Sequence, residues 1–348
     1  MVTIKDIAKE CGVSVATVSN VLNGKGKASK ATTDLVLEAI QKYGYKPNQI
    51  ARGLRNRNTG VIGIIAEEIN HFATPAIIEG IMGCVEEHGY KSMLFNLRLY
   101  SRWSDIWFNN EEMIDPVLGP ILDETESMQL TGLIYIGAHG RIVNKIPGNY
   151  SIPAVTIYIQ ETNEKVPSVV VDDENGAADA VRYLISRGHR KLAFIMGEKD
   201  NLHTVLRRRG VKAALGESGI PEEECLFISS SWTREGGEEA AVQLLDTDVT
   251  GVFCFSDKIA SGLYSCMHSN GYTVGKDISV IAFDNDPLSA YLVPELTTMA
   301  LPLKKMGITA SELLFSLIFE KDHDVELKDN CIGIRCELTE RGSVAKIC

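Results

Sequence analysis

The sequence predicts a small all-α head joined to a larger two-lobed α/β body. Three observations carry this. Basic charge is concentrated in the first 60 residues, helix start and stop signals recur at short intervals there, and from residue 61 apolar strand-like runs alternate with amphipathic helical ones. At 348 residues the chain is long enough for two or three domains with a sizeable core. Hydrophobic residues at 45% and charged residues at 23% exclude a disordered chain.

The head is a cation on an anion. Residues 1–60 hold ten basic and four acidic side chains, a net of +6, whereas the whole chain is −11, so the remainder carries −17. Such a split points to a polyanionic partner for the head. Thr3 and Asp6 have the spacing of a capping box, and Ile4, Ile7 and Ala8 follow on one helical face. Gly12 supplies the freedom of a tight turn. Ser14 caps a second helix with Val18, Val21 and Leu22 turned inward, and the pair reads as a helix-turn-helix. A third helix opens at Ser29 or Lys30, carries Leu35, Val36, Ala39, Ile40 and Tyr43 as its apolar stripe, and stops at Gly44.

Pro47 ends that helix and Asn48 can cap a short new one, with Ile50, Ala51 and Leu54 on one face. Two turns of helix are marginal in water, and Gly53 weakens them by about 1 kcal/mol relative to alanine. The segment is expected to be disordered in the free protein and helical only when two copies meet on DNA.

Two motifs now stand together: V-S-x-x-T-V-S-x-V-L-N from Val13 to Asn23 and Y-x-P-N-x-x-A-R-x-L from Tyr45 to Leu54. They resemble the DNA-binding region of LacI/GalR-type transcriptional regulators. The resemblance implies that the second helix lies in the major groove, with Val15, Ala16 and Asn20 at base-reading positions. An Asn amide pairs with adenine, and small apolar groups touch a thymine methyl. Ser14, Thr17 and Ser19 then suit phosphate contacts. It also implies paired hinge helices in the minor groove, where Leu54 wedges a base step open and Arg52, Arg55 and Arg57 lie near phosphates, with Asn48 a further DNA-binding candidate.

The body reads as strands Val61–Ala66, Ser92–Asn96, Gly132–Ile136, Ala154–Tyr158, Val169–Val171, Lys191–Met196, Gly251–Phe255 and Ser279–Phe283. Helices over Ala76–His88 and Asn175–Arg187 lie between them, the first with Ile77, Ile78, Ile81, Met82 and Val85 inward. Apolar strands with helical crossovers predict parallel sheets covered on both faces. About 290 residues suit two such lobes rather than one. The runs YLISRGHRKLAFI, ISVIAFDN, PELTTM and LTERGSV resemble the type I periplasmic-binding-protein-like effector domain of the same family. The implied organisation is a helix-turn-helix head over residues 1–46, a hinge over 47–59 and a two-lobed effector and dimerisation domain over 60–348. Residues 98–130 look about ten residues longer than that family's usual pattern, and Trp103, Trp107 and Phe108 there either cover the cleft mouth or pack a longer helix.

An effector pocket is expected between the lobes, at the carboxyl ends of the strands. The resemblance carries the binding role onto His71, Phe72, Asn201, His203, Arg207, Trp232, Ser256, Asp257 and Asp284, with Asn96 and Tyr158 as weaker strand-end candidates. Arg207 has a rival reading, an ion pair with a lobe carboxylate. Trp232 and Phe72 suit a sugar ring, with Arg and Asp bonding its hydroxyls. A purine or nucleoside would stack there too, and response to a partner protein stays open.

No phosphate loop, dinucleotide fingerprint, nucleophile elbow or zinc-protease motif is found, so an enzyme is not expected. The eight cysteines form no C-x-x-C pair and read as reduced, mostly buried thiols, with no cofactor or metal expected. Residues 1–12 lack the apolar run of an export signal, and no run is long enough to cross a bilayer, which argues against a plain solute-binding protein and for a cytoplasmic one. The expected partners are operator DNA, a small effector with sugar favoured, and a second copy of the chain. The resemblance favours a repressor on a pseudo-palindromic operator.

Overall fold

The computed structural model describes residues 2–22, 28–45, 59–104, 106–320 and 330–347. The chain divides into two compact units, Met1–Thr59 and Gly60–Cys348.

The head contains α1 (Ile4–Glu10), α2 (Val15–Leu22) and α3 (Lys30–Tyr43). The Asp6 carboxylate accepts from the Thr3 N–H at 2.8 Å and its hydroxyl at 2.7 Å. Gly12 takes a φ of 63° between α1 and α2. Ser14 and Ser29 cap α2 and α3 by accepting the N–H of Thr17 and Thr32 at 3.1 and 3.2 Å. Gly44 ends α3 in the left-handed conformation. Ile7, Ala8, Cys11, Val18, Val36 and Ala39 form the small core. The predicted stripe on α3 is too wide. Leu35 is 47% exposed, and Tyr43 sits on the flank, where its hydroxyl donates to Glu10 at 2.7 Å.

The body holds two six-stranded sheets. The N-lobe sheet runs β13 (Cys331–Ile334), β7 (Ser168–Val171), β5 (Ala154–Ile157), β3 (Gly132–Ile136), β1 (Val61–Ala66), β2 (Lys91–Asn96), all parallel. The C-lobe sheet runs β14 (Glu337–Thr339), β12 (Thr297–Ala300), β11 (Ser279–Asp284), β10 (Gly251–Cys254), β8 (Leu192–Met196), β9 (Leu226–Ser229), with only β14 antiparallel. A two-stranded ribbon, β4 (Ile142–Val143) and β6 (Gln160–Glu161), lies beside the N lobe. Every strand predicted from the sequence is present within a residue or two. Strands β4, β6, β9, β12, β13 and β14 are not among those predicted; each is two to four residues long, and β12 is rich in threonine.

Helices α4 (Thr74–Glu87), α5 (Leu99–Trp103), α6 (Asp115–Ser127), α7 (Asp173–Ser186), α8 (Leu202–Glu217), α9 (Arg234–Ala241), α10 (Asp257–Ser269) and α11 (Leu303–Ile318) cover the sheets. The face of α4 is set by Gly80, where a Cβ would lie 2.2 Å from the Lys304 carbonyl oxygen of α11. Met82, predicted inward, is therefore turned out and 48% exposed. The chain passes between the lobes three times: β7 to α7, β12 to α11, and β13 to β14. Cys11, Cys84, Cys225, Cys254, Cys266 and Cys336 are buried free thiols, and Cys331 is half-buried. Among the described residues, no helix is long and apolar enough to cross a membrane, and no group of three or more side chains could hold a metal ion.

Candidate functional site

On the head, α2 carries the predicted recognition positions. Ser14 and Ala16 are exposed, while Thr17, Ser19 and Asn20 are half-buried. Val15 is half-buried too and packs against the head core, so its side chain is shared between core and surface. The Ser14 hydroxyl lies 2.9 Å from that of Thr17. Asn48, Arg52, Leu54 and Arg55 lie outside the described residues.

In the body, chain reversals in strand order leave a crevice at the carboxyl ends of both sheets, the place where open α/β folds bind ligands. A cavity of about 410 Å³ lies there. Eight of the nine predicted effector residues line it: His71, Phe72, Asn201, His203, Arg207, Trp232, Ser256 and Asp284. Tyr158, a weaker candidate, lines it as well. Asn96 does not; its carboxamide oxygen accepts the N–H groups of Ile69 and Arg98 at 3.3 and 3.2 Å.

Asp257 is the correction among the nine. As the first residue of α10 it points into the C lobe, fully buried, accepting the Thr298 hydroxyl at 2.6 Å and the Asp286 N–H at 2.7 Å. Its neighbours Ser256 and Lys258 face the cavity instead. Ser256 caps α10 by accepting the Ile259 N–H at 3.2 Å.

The C-lobe wall is ionic. Arg207 is 2% exposed, and its Nε donates to Asp173 at 2.7 Å. Another nitrogen donates to the Phe255 carbonyl and lies 3.7 Å from Asp284. The predicted rival ion pair is thus real, and Arg207 still reaches the cavity. Burial raises the Asp173 carboxyl, but His203 and Arg207 together outweigh it and hold it below the usual carboxylate value. Asp284 shifts the other way. Burial, opposed by Arg207 and reinforced by Asp173, pushes it up to about 7. Its φ of 118°, followed by 56° at Asn285, places backbone strain at the cavity edge.

The N-lobe wall is aromatic and neutral. Burial, aided by His139 and Lys258, pushes His71 down to about 3; burial and Arg141 do the same to His139. His139 is hydrogen-bonded through Nε2 to the Tyr100 hydroxyl. Trp107 is fully buried behind both, its ring 5.5 Å from Tyr100 and 5.4 Å from His139. Of the two readings of this segment's aromatics, packing is the one that describes Trp107 and, in part, Trp103; the side chain of Phe108 is outside the described residues. Tyr100, which was not among them, reaches the cavity.

Tyr100, His139, Glu198, Ser231, Thr233 and Lys258 line the cavity without having been predicted. Tyr100 and His139 follow predicted strands by three or four residues, so the strand-end rule applied to every strand would have found them. A smaller space of about 250 Å³ at the mouth shares His71, Phe72, Tyr100 and Lys258, and adds Glu68, Asn70 and Ser101.

Comparison with known proteins agrees with this geometry. Residues 3–48 match the bacterial regulatory proteins of the lacI family, and residues 181–344 match a periplasmic binding protein-like domain. Catabolite control protein A of Priestia megaterium is 32% identical over 90% of this chain and 91% of its own. The HTH-type transcriptional repressor PurR of Vibrio atlanticus is 31% identical over 99% of both chains. The crystal structure of the lac repressor dimer bound to operator and the anti-inducer ONPF shares the fold, with a TM-score of 0.79 over 99% of both chains at 21% identity. These relatives are transcriptional regulators rather than enzymes. The chain belongs to the LacI family and is a DNA-binding transcriptional regulator with a helix-turn-helix head and a two-lobed periplasmic-binding-protein-like body.

Proposed function

We propose that this regulator represses transcription from a pseudo-palindromic operator as a homodimer and responds to a small polar ligand, a sugar being favoured, held between its lobes. The observation that carries the reading is the cavity at the carboxyl ends of both sheets, where Phe72 and Trp232 flank Arg207 and Asp284. Aromatic faces stack on the apolar side of a sugar ring, and guanidinium and carboxylate bond its hydroxyls. The neutral imidazoles of His71 and His139 offer both donor and acceptor capacity to such a ligand. The same flat faces would take a purine, and that is the rival outcome.

The head, residues 1–46, reads the half-site through Val15, Ala16 and Asn20, with Ser14, Thr17 and Ser19 on phosphates. In the hinge, residues 47–59, Leu54 wedges into the minor groove and Arg52 and Arg55 lie near phosphates, with Asn48 also on the DNA. Residues 60–348 bind ligand and dimerise, and closure of the lobes sets whether two hinges can pair. Tyr291 and Val293, 85% and 89% exposed on the C lobe, support an apolar contact between copies. Work on an operator places the protein in the cytoplasm.

A thermal-shift screen of the full chain against neutral sugars, sugar phosphates and nucleobases tests the ligand class. A ligand at a hundred times its Kd stabilises by about 2.7 kcal/mol. A neutral sugar that raises Tm supports the reading, whereas a response to nucleobases alone selects the purine alternative. No response to any class overturns it.

A further inference from the structure

One contact between the two walls of the cavity is that of His203 with Gly140, and both of its sides are anchored by buried side-chain bonds. On the C-lobe side stands Asp173, which is buried and does not line the cavity. It is the first residue of α7, immediately after the crossover from β7. One carboxylate oxygen lies 2.7 Å from His203 Nδ1, and the other accepts from Arg207 Nε at 2.7 Å. His203 and Arg207 are one helical turn apart, so a single carboxylate fixes the rotation of the first turn of α8. The two helices are also in backbone contact, since a Cβ at Gly210 would lie 1.9 Å from the Glu174 carbonyl oxygen. His203 therefore cannot move independently of the crossover.

On the N-lobe side stands Gly140. A Cβ there would lie 2.5 Å from His203 Nε2 and 2.8 Å from its Cδ2 and Cε1. Its φ is not in the left-handed region, so close approach to the imidazole, rather than backbone conformation, requires glycine. The loop bearing Gly140 is anchored by the next residue. Arg141 donates to Glu67 at 2.6 Å, to Glu111 at 2.5 Å and to the His139 carbonyl at 3.3 Å.

We propose that the contact between His203 and Gly140 sets how far the lobes close over the cavity, with Asp173 as the positioning residue behind it. The chemistry of His203 joins this contact to the ligand. Nδ1 is bonded to Asp173, and Nε2 is buried without a hydrogen-bond partner. A polar group of a ligand bonded to Nε2 acts on the same atom that abuts the N lobe. Ligand and lobe angle are thus read by one imidazole.

The inference rests on the reading that ligand is held between the lobes, but its experiment needs no ligand. Hydrogen exchange is measured by mass spectrometry on the full chain and on Gly140→Ala, His203→Ala and the double variant. Gly140→Ala should speed exchange about tenfold in residues 137–141 and 200–205, leaving β1 and β8 at their original rates. His203→Ala should speed exchange in the original background and slow it in the Gly140→Ala background, because removing the ring makes room for the new methyl. Equal effects in both backgrounds, or unchanged exchange in Gly140→Ala, overturn the proposal. If Gly140→Ala does not fold, Asp173→Asn decides: exchange must rise in residues 137–141, which Asp173 does not touch, and a change confined to α8 overturns it. A ligand screen without hits would remove the functional reading and leave this result standing.

Discussion

Each lobe buries a carboxylate–arginine pair near the cavity, and the two are used in opposite ways. In the N lobe, Glu67 takes the Tyr135 hydroxyl at 2.6 Å, the Ala138 N–H at 2.7 Å and Arg141 at 2.6 Å. All of this stands behind the wall, so the surface offered to a ligand is neutral: His71, Phe72, Tyr100, His139 and Tyr158. In the C lobe, Arg207 is itself part of the wall, shared between Asp173 and Asp284. The N-lobe pair stands behind the wall, and the C-lobe pair is part of the wall itself, as the proposed binding role requires. The difference assigns polarity to one lobe and shape to the other.

The sharpest way to break this comparison is at the two arginine pairs. Arg207→Ala strands two buried carboxylates and should cost about 3–5 kcal/mol in chemical denaturation. Arg207→Lys keeps the charge but loses the planar fork, so it should recover part of that stability and still lose the ligand-induced rise in Tm. Glu67→Gln is expected to cost less, about 1–3 kcal/mol, because Arg141 keeps Glu111 at 2.5 Å. Its ligand response should persist. A Glu67→Gln protein as deaf to ligand as Arg207→Lys would erase the distinction between the lobes.

Titration separates the walls further. His71 and His139 hold values of about 3, well below the unfolded histidine value, so the unfolded state binds more protons in mild acid. Stability from these groups is full above about pH 6.5 and is lost as pH falls toward 3, at up to about 1.4 kcal/mol per pH unit for each ring. His71→Phe should flatten that acid limb. Asp284, at about 7, behaves in the other sense: its buried charge destabilises increasingly as pH rises from about 4 to 7. Asp284→Asn should therefore gain more stability at pH 8 than at pH 5, as read by Tm at the two values. Equal shifts would contradict the C-lobe assignment. The smallest effect is expected at Tyr100→Phe, about 0.5–1.5 kcal/mol for one hydrogen bond to His139, with modestly weaker ligand binding.

How legible these features are in sequence follows from how locally they are encoded. The head is readable because each helix announces itself with its own cap: Thr3 with Asp6, Ser14, Ser29 and Gly44. Strands β1, β3 and β8 are readable because almost every residue is buried, giving unbroken apolar runs. Strand β12, Thr-Thr-Met-Ala, has no such run and is held by its neighbours. In the site, residues just past a strand end follow from the topology alone. Asp257 fails because one residue along a helix is a third of a turn, enough to move the side chain from cavity to core. Asp173 falls two residues past Val171 and so within that rule, but its role is not legible there, since it acts on residues 30 and 34 positions away from beneath the wall.

A ligand seated against the C-lobe arginine is proposed to change the grip of the head on DNA. Fluorescence anisotropy of the full chain on a pseudo-palindromic duplex selected from a random pool, across salt, with and without the compound that most raises Tm, tests this. Affinity should fall steeply with salt and shift at least about tenfold with the compound, and the shift should vanish in Arg207→Lys. Affinity indifferent to the compound, or a shift that survives Arg207→Lys, would overturn the proposal.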